Sequence, residues 1–160
     1  MRSGRIVQFA PPVKILREPA DHFVNDLVGK ESGLKLMKLV KISDIMVPAL
    51  APIREGSSIL EAKRLMAEKA SDILLVVDDR GTFRGAIRFE QVNQKDGGTV
   101  AESMDPGIPT ARDDGEIRET LERMLREKRL WLPIVDEEKC LKGIVTMTQF
   151  ASFFAREAQG

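Results

Sequence analysis

Cysteine occurs once in the 160 residues, at Cys140, so no intrachain disulfide can form and a reducing cytosol is the expected compartment. Histidine also occurs once, at His22, with no cysteine or second histidine near it. A zinc-type metal site or a nucleophilic triad therefore has no support. Charge of either sign is not in excess: 25 basic residues balance 25 acidic ones. No overall field draws the chain to a nucleic acid polymer or a membrane, and any such contact must come from a local patch. No apolar run reaches the ~18 residues a membrane span needs, and the first residues are polar and basic, unlike a signal peptide, so a soluble chain is expected. There is no G-x-x-x-x-G-K-[ST] loop to cradle the phosphates of ATP for hydrolysis. No catalytic residue is assigned.

What the chain does have is a repeat. Shifting it by 58 positions without a gap sets Met46 on Met104, Pro48 on Pro106, Ile59 on Ile117, Met66 on Met124, Val77-Asp78 on Val135-Asp136, Gly85 on Gly143 and Gln91 on Gln149. Each copy reads as a Met-x-Pro lead-in, a helix, a strand ending in Asp, a turn, a Gly-led strand and a second helix. In the first copy the helix is Ser58–Lys69, with Ser58 and Glu61 as a capping box and Ile59, Ala62, Leu65 and Met66 on one face. Ile73–Val77 is too uniformly apolar to be half exposed, so it predicts a strand buried on both sides. Asp78–Gly81 makes the turn, Gly85–Ile87 the return strand, and Gln94–Gly98 the linker between copies. In the second, Asp113 or Asp114 is expected to cap a helix over Glu116–Lys128 with Ile117, Leu121, Met124 and Leu125 inward. Leu132–Val135 and Gly143–Val145 are its strands, and Thr146–Glu157 its last helix.

The repeat, from Lys41 to Glu157, resembles the cystathionine β-synthase (CBS) domain, which occurs in pairs. That resemblance implies an α/β fold: two interleaved CBS halves about a pseudo-twofold axis, with domains at 41–97 and 98–158. The segment before them reads as a strand, Gly4–Phe9, two short proline-led helices, Pro12–Arg17 and Pro19–Val28, and a basic amphipathic linker from Glu31. It is too small to bury a core of its own. Gly4-Arg5-Ile6-Val7-Gln8, Ile15 to Asp21, Phe23-Val24 and Leu27-Val28-Gly29 are similar to the closing segment of the ATP-binding subunit of ABC importers. Residues 1–40 are thus expected to be the end of an ATPase domain plus linker, and the chain a regulatory C-terminal fragment that is not itself an ATPase.

A CBS pair after such a segment resembles the subunit that energises uptake of glycine betaine, carnitine, choline or related quaternary amines. The implied partners are a second copy bound through CBS helices, the parent ATPase domain and, through it, a membrane permease. The implied location is cytoplasmic, peripheral at the inner face of the membrane. No cofactor is required; AMP, ATP, cyclic di-AMP or ionic strength is the implied regulator. A stand-alone AMP or ATP sensor, or a ligand-free dimerisation module, is the alternative.

In the CBS family the second strand ends Gly, two apolar residues, Thr or Ser, two residues, then Asp, the hydroxyl meeting phosphate and the Asp the ribose. Here the second copy has Gly143, Thr146 and Gln149; the first has Gly85, Arg88 and Gln91. Thr146 and Gln149 also form a capping box that needs no ligand. Arg88 could grip a phosphate, or pair on the surface with an acid such as Glu90. Trp131 is placed to stack an adenine or to pack on the core. Pro48, Pro106 and Pro133 complete the candidate ligand-binding set. Arg123, Arg126, Lys128 and Arg129 offer a basic face to anionic lipid, or a solvated helix with Glu122 and Glu127 at ion-pair spacing.

Overall fold

The computed structural model describes residues 40–157. The expected strand Gly4–Phe9, the two proline-led helices, His22 and nearly all of the basic linker lie outside the described residues. A 3-10 turn at Ile42–Asp44 is followed by β1 (Ile53–Arg54), α1 (Ile59–Lys69), β2 (Ile73–Val77), β3 (Phe83–Arg88) and α2 (Phe89–Asn93). The second copy gives β4 (Ala111–Arg112), α3 (Ile117–Arg126), β5 (Trp131–Val135), β6 (Leu141–Thr146) and α4 (Met147–Glu157). The strands form two three-stranded sheets, ordered β1-β2-β3 and β4-β5-β6.

In the first sheet Ile53 lies parallel to Val76, while β2 runs antiparallel to β3. A parallel neighbour requires a crossover, and α1 supplies it. Ser58 caps α1 by accepting the Glu61 N–H at 3.1 Å, and the helix stops at Ala70 in the left-handed conformation, φ 48°. In the second sheet Ala111 lies parallel to Ile134 in the same way, with α3 as the crossover. The two-residue strands β1 and β4 had no signature in the sequence, because two residues carry no alternation.

Two compact units divide the described chain: Val47–Arg112 with Pro133–Ile144, and the remainder, 40–46, 113–132 and 145–157. The first has a core of Ile53, Ile59, Ala62, Met66, Leu74, Val76, Ile87, Val92 and Val100, with Leu65 and Met104 packed against it. In the second, Ile42, Ile117, Leu121, Met124, Leu132, Val145, Phe150 and Phe153 are buried. Leu125, expected inward, is only half-buried. Thr120 is buried instead, its hydroxyl donating to Glu116 O at 3.1 Å so that the helix itself satisfies it. The cap expected from Asp113 or Asp114 falls elsewhere. Glu116 is the N-cap residue and makes no side-chain cap bond, while Val40 O accepts the Ile117 N–H. Asp113 O and Gly115 O accept from Ser43 N–H and Ile42 N–H, so this loop holds the 3-10 turn.

Within the first unit each lead-in segment pairs with the return strand of the other copy. Val47 and Ile144 exchange two backbone hydrogen bonds, at 3.0 and 2.8 Å. Ala86 and Asp105, the repeat-equivalent residues, exchange two more at 3.0 and 2.8 Å. This approach explains Gly85, since a Cβ there would sit 2.3 Å from Asp105 O and 3.0 Å from Pro106 Cα. The hairpin turns are paired too: Phe83 N–H donates to Lys139 O and Leu141 N–H to Gly81 O. Gly81 and Lys139, again repeat equivalents, both have positive φ, 84° and 64°. A lysine pays a steric cost there that glycine does not.

Asp78 Oδ1 organises the first turn by accepting from the Arg80 and Thr82 N–H groups, at 2.8 and 2.9 Å. Asp136 Oδ1 does the same with the Glu138 and Cys140 N–H groups, at 3.0 and 2.9 Å. Desolvation pushes the Asp78 carboxyl up, but the two N–H donors, the Thr82 side chain and the charge of Arg84 together hold it below its ordinary range. For Asp136 the Lys142 ammonium, 3.0 Å away, leads, and the Cys140 N–H adds to it.

Replacing Gly85 by Ala is expected to destabilise the chain by about 1–3 kcal/mol, since backbone must move. Lys139→Gly is expected to stabilise it by about 0.5–1 kcal/mol; urea unfolding midpoints check both. Because both aspartates have lowered folded-state pKa values, their stabilisation is present above the ordinary value of 3.8 and is lost as pH falls through the lower, folded one. Urea midpoints measured down an acid series should fall in that window, and Asp136→Asn should flatten the fall.

Candidate functional site

The candidate ligand-binding residues Arg88, Gln91, Thr146 and Gln149 lie where β3 meets α2 and where β6 meets α4. At the first junction Arg88 is the N-cap residue, and its N–H donates to Gln91 Oε1 at 2.8 Å. At the second, the Thr146 N–H donates to Gln149 Oε1, also at 2.8 Å. The Thr146 hydroxyl donates to the same Oε1, and accepts from the Thr148 N–H at 3.2 Å. Both glutamines are therefore caps, with the carbonyl end of each amide turned back to the chain. Among the described residues no hydrogen bond engages either Nε2 donor.

Arg88 is exposed, and among the described residues no acid pairs with its guanidinium, Glu90 included. Opposite this junction in the first unit, the bridge between Ala86 and Asp105 brings Pro106 beside β3. Asp105 Oδ1 is occupied with the Gly107 N–H at 2.8 Å. Pro48 follows Val47, whose partner Ile144 lies in β6, so it holds the equivalent place in the other lead-in. Pro48 and Pro106 are exposed; Pro133 is buried within β5, and Trp131, at the start of that strand, is half-buried. The repeat mates Leu50 and Ile108 differ sharply, 78% exposed against 7%. Sequence reasoning missed that Leu50 is left in solvent, for the two loops share the same apolar character.

The basic face of α3 is laced with ion pairs: Arg118 with Glu122 at 2.8 Å, Arg123 with Glu127 at 3.0 Å and Arg129 with Glu127 at 3.4 Å. The Arg123 hydrogen bond leads in holding the Glu127 carboxyl below its ordinary range. Glu122 turns to Arg118 and not to Arg126, the residue four positions on with which its spacing was expected to pair it. Exposed pairs of this kind contribute little stability, but they neutralise the face. Among the described residues no cluster of His, Cys, Asp or Glu could hold a metal ion, and no helix is long and apolar enough to cross a membrane.

The family model described as the CBS domain matches residues 42–92 and again 99–156. The chain belongs to the CBS-domain family. As a CBS pair it is 34% identical, over 91% of its length, to the carnitine transport ATP-binding protein OpuCA of Listeria monocytogenes, of which it covers 38%. It is 31% identical, again over 91% of its length, to the glycine betaine/carnitine/choline transport ATP-binding protein OpuCA of Bacillus subtilis, of which it covers 39%. The chain thus spans about two fifths of the length of these relatives. Among solved structures, that of Staphylococcus aureus OpuCA matches 71% of this chain and 98% of its own, with a TM-score of 0.63 and 21% identity, which bears on the fold alone. The cytosolic domain of the Mg2+ channel MgtE, solved with ATP, matches 84% of this chain and 54% of its own, with a TM-score of 0.65 and 26% identity.

Removing each cap should cost stability without disturbing the core. Gln91→Ala and Gln149→Ala are each expected to lose about 0.5–2 kcal/mol, Gln149 the more because it receives two donors. Thermal unfolding of the two variants checks the order.

Proposed function

We propose that this chain is the regulatory CBS pair of the ATP-binding subunit of an ABC importer for quaternary-amine osmoprotectants. The observation that carries the reading is the likeness to two such transport ATP-binding proteins over 91% of the chain. It reaches beyond the CBS pair into the first residues, where the similarity to the end of an ATPase domain was noted. In this reading residues 1–40 close the ATPase domain, 41–97 and 98–158 are the two CBS domains, and a homodimer through the CBS helices joins the two ATPase subunits. The assembly sits at the inner face of the membrane against its permease.

Regulation is then allosteric: a ligand or ionic condition favours one arrangement of the CBS dimer, which biases closure of the ATPase subunits. That requires a different affinity for the two arrangements. An adenine nucleotide is the ligand class we favour, because the MgtE domain was solved with ATP. The α3 ion pairs disfavour the basic helix face as a lipid sensor, since Arg118, Arg123 and Arg129 already have acidic partners.

Calorimetric titration of the chain with AMP, ATP and cyclic di-AMP, repeated with Arg88→Ala and Thr146→Ala, tests the nucleotide reading. Saturable binding of one nucleotide that a variant loses by about tenfold or more is the expected outcome. No heat from any of the three would sink nucleotide regulation and leave ionic strength or dimerisation as the module's role.

A further inference from the structure

The first N–H groups of a helix have no partner within it and need acceptors from elsewhere. At α1, Gly98 O accepts the Ile59 N–H and Ser58 Oγ accepts the Glu61 N–H, both at 3.1 Å. Its repeat equivalent α3 has the first acceptor and lacks the second. Val40 O accepts the Ile117 N–H at 3.4 Å, but Glu116 makes no side-chain cap bond. Val40 and Gly98 are repeat equivalents too, so each crossover helix is started by the segment that leads into the other copy. The two entry segments are held alike. Lys41 N–H donates to Asp44 Oδ2 at 2.9 Å, and Thr99 N–H to Glu102 Oε2 at 3.0 Å. Ile42 N–H donates to Gly115 O and Ser43 N–H to Asp113 O, as Val100 N–H does to Ser57 O and Ala101 N–H to Glu55 O, all at 2.9 Å. They differ in what precedes them. Residues 94–98 lie within one compact unit, where Lys63 Nζ donates to Lys95 O at 2.8 Å, whereas Val40 follows the segment 1–39, ahead of both copies.

We infer that the entry segment 40–43 is a releasable cap on α3: displacing the chain ahead of Val40 frees the first turn of α3, whereas α1, with a side-chain cap of its own, keeps its first turn. Ile117, Thr120 and Leu121 are buried, so loosening that turn reaches the core of the unit that holds α3. A movement upstream of the pair is thus delivered to the second copy and not to the first. As a route of regulation the inference rests on the proposed function, in which residues 1–40 close an ATPase domain. As a contact it is tested with neither that domain nor a nucleotide, so either reading can fail without the other.

Amide hydrogen exchange on the full 160-residue chain tests the inference, read at the first intrahelical bond of each helix. Those bonds are Thr120 N–H to Glu116 O at 3.2 Å and Ala62 N–H to Ser58 O at 3.1 Å. Asp44→Ala removes the acceptor that holds Lys41 and is expected to speed exchange at Ile117 and Thr120 by about fivefold, the weight of one helix cap. Lys41→Pro removes the donor of the same bond and should do likewise, which keeps the test open if one variant folds poorly. Glu102→Ala, the equivalent change at the other entry segment, should speed exchange at Ala62 by less than about twofold, because Ser58 still caps α1. Adding Glu116→Ser to Asp44→Ala gives α3 the Ser-x-x-Glu box of α1 and should return Thr120 to within about twofold of the parent chain. Unchanged exchange at Thr120 in both Asp44→Ala and Lys41→Pro would overturn the inference. So would an equal loss at Ala62 in Glu102→Ala, no rescue by Glu116→Ser, or a rise shared by the whole chain.

Discussion

Two reciprocal backbone pairings set the constraint that the rest of the structure answers to. Val47 with Ile144 and Ala86 with Asp105 join each copy's lead-in to the other copy's return strand. The residue before the return-strand partner of each pairing is glycine, Gly85 and Gly143, and at Gly85 a Cβ would meet Asp105 O at 2.3 Å. The prolines at 48 and 106 follow directly; with φ fixed and no N–H to donate, they end the pairing after one residue and turn the chain away. Neither copy is therefore self-sufficient. A three-stranded sheet with one crossover helix is marginal alone, and exchanging lead-ins makes the copies fold together.

The paired turns extend this coupling. Each aspartate closes its own turn through two N–H groups, and the turns then bond to each other through Gly81, Phe83, Lys139 and Leu141. Lys139 tolerates a left-handed conformation because the turn is fixed on both sides, by Asp136 within it and by the facing turn across it. Local strain is accepted where the neighbouring hydrogen bonds over-determine the backbone.

Much of this was legible because the fold is written twice. The buried strand Ile73–Val77, the crossover helix from Ile59 and the glycines at 85 and 143 each stand out more clearly once overlaid on a second copy. What stayed hidden depends on contacts distant in sequence. The start of α3 is fixed by Val40 O, more than 70 residues upstream, so the aspartates at 113 and 114 looked like better caps than they are. The fate of Leu50 and Ile108 could not be read from their shared character, because burial is decided by what the rest of the fold leaves over each loop. Ion-pair spacing likewise offered Glu122 two arginines, at 118 and 126, and only the side-chain geometry chose between them.

The candidate junctions show how a repeat can preserve a backbone while changing its chemistry. A carboxylate at position 91 or 149 could cap the helix with one oxygen and still offer the other to a ligand. A glutamine has a single oxygen, so the cap draws on its one acceptor atom, and the other end of the amide can only donate. The same residue in both copies therefore leaves each of these helix starts with an uncharged cap. Beside Arg88 the capping amide oxygen receives one donor, the backbone N–H; beside Thr146 it receives two, the N–H and the hydroxyl. Which atoms each helix cap consumes is thus a property set by folding, before any ligand arrives.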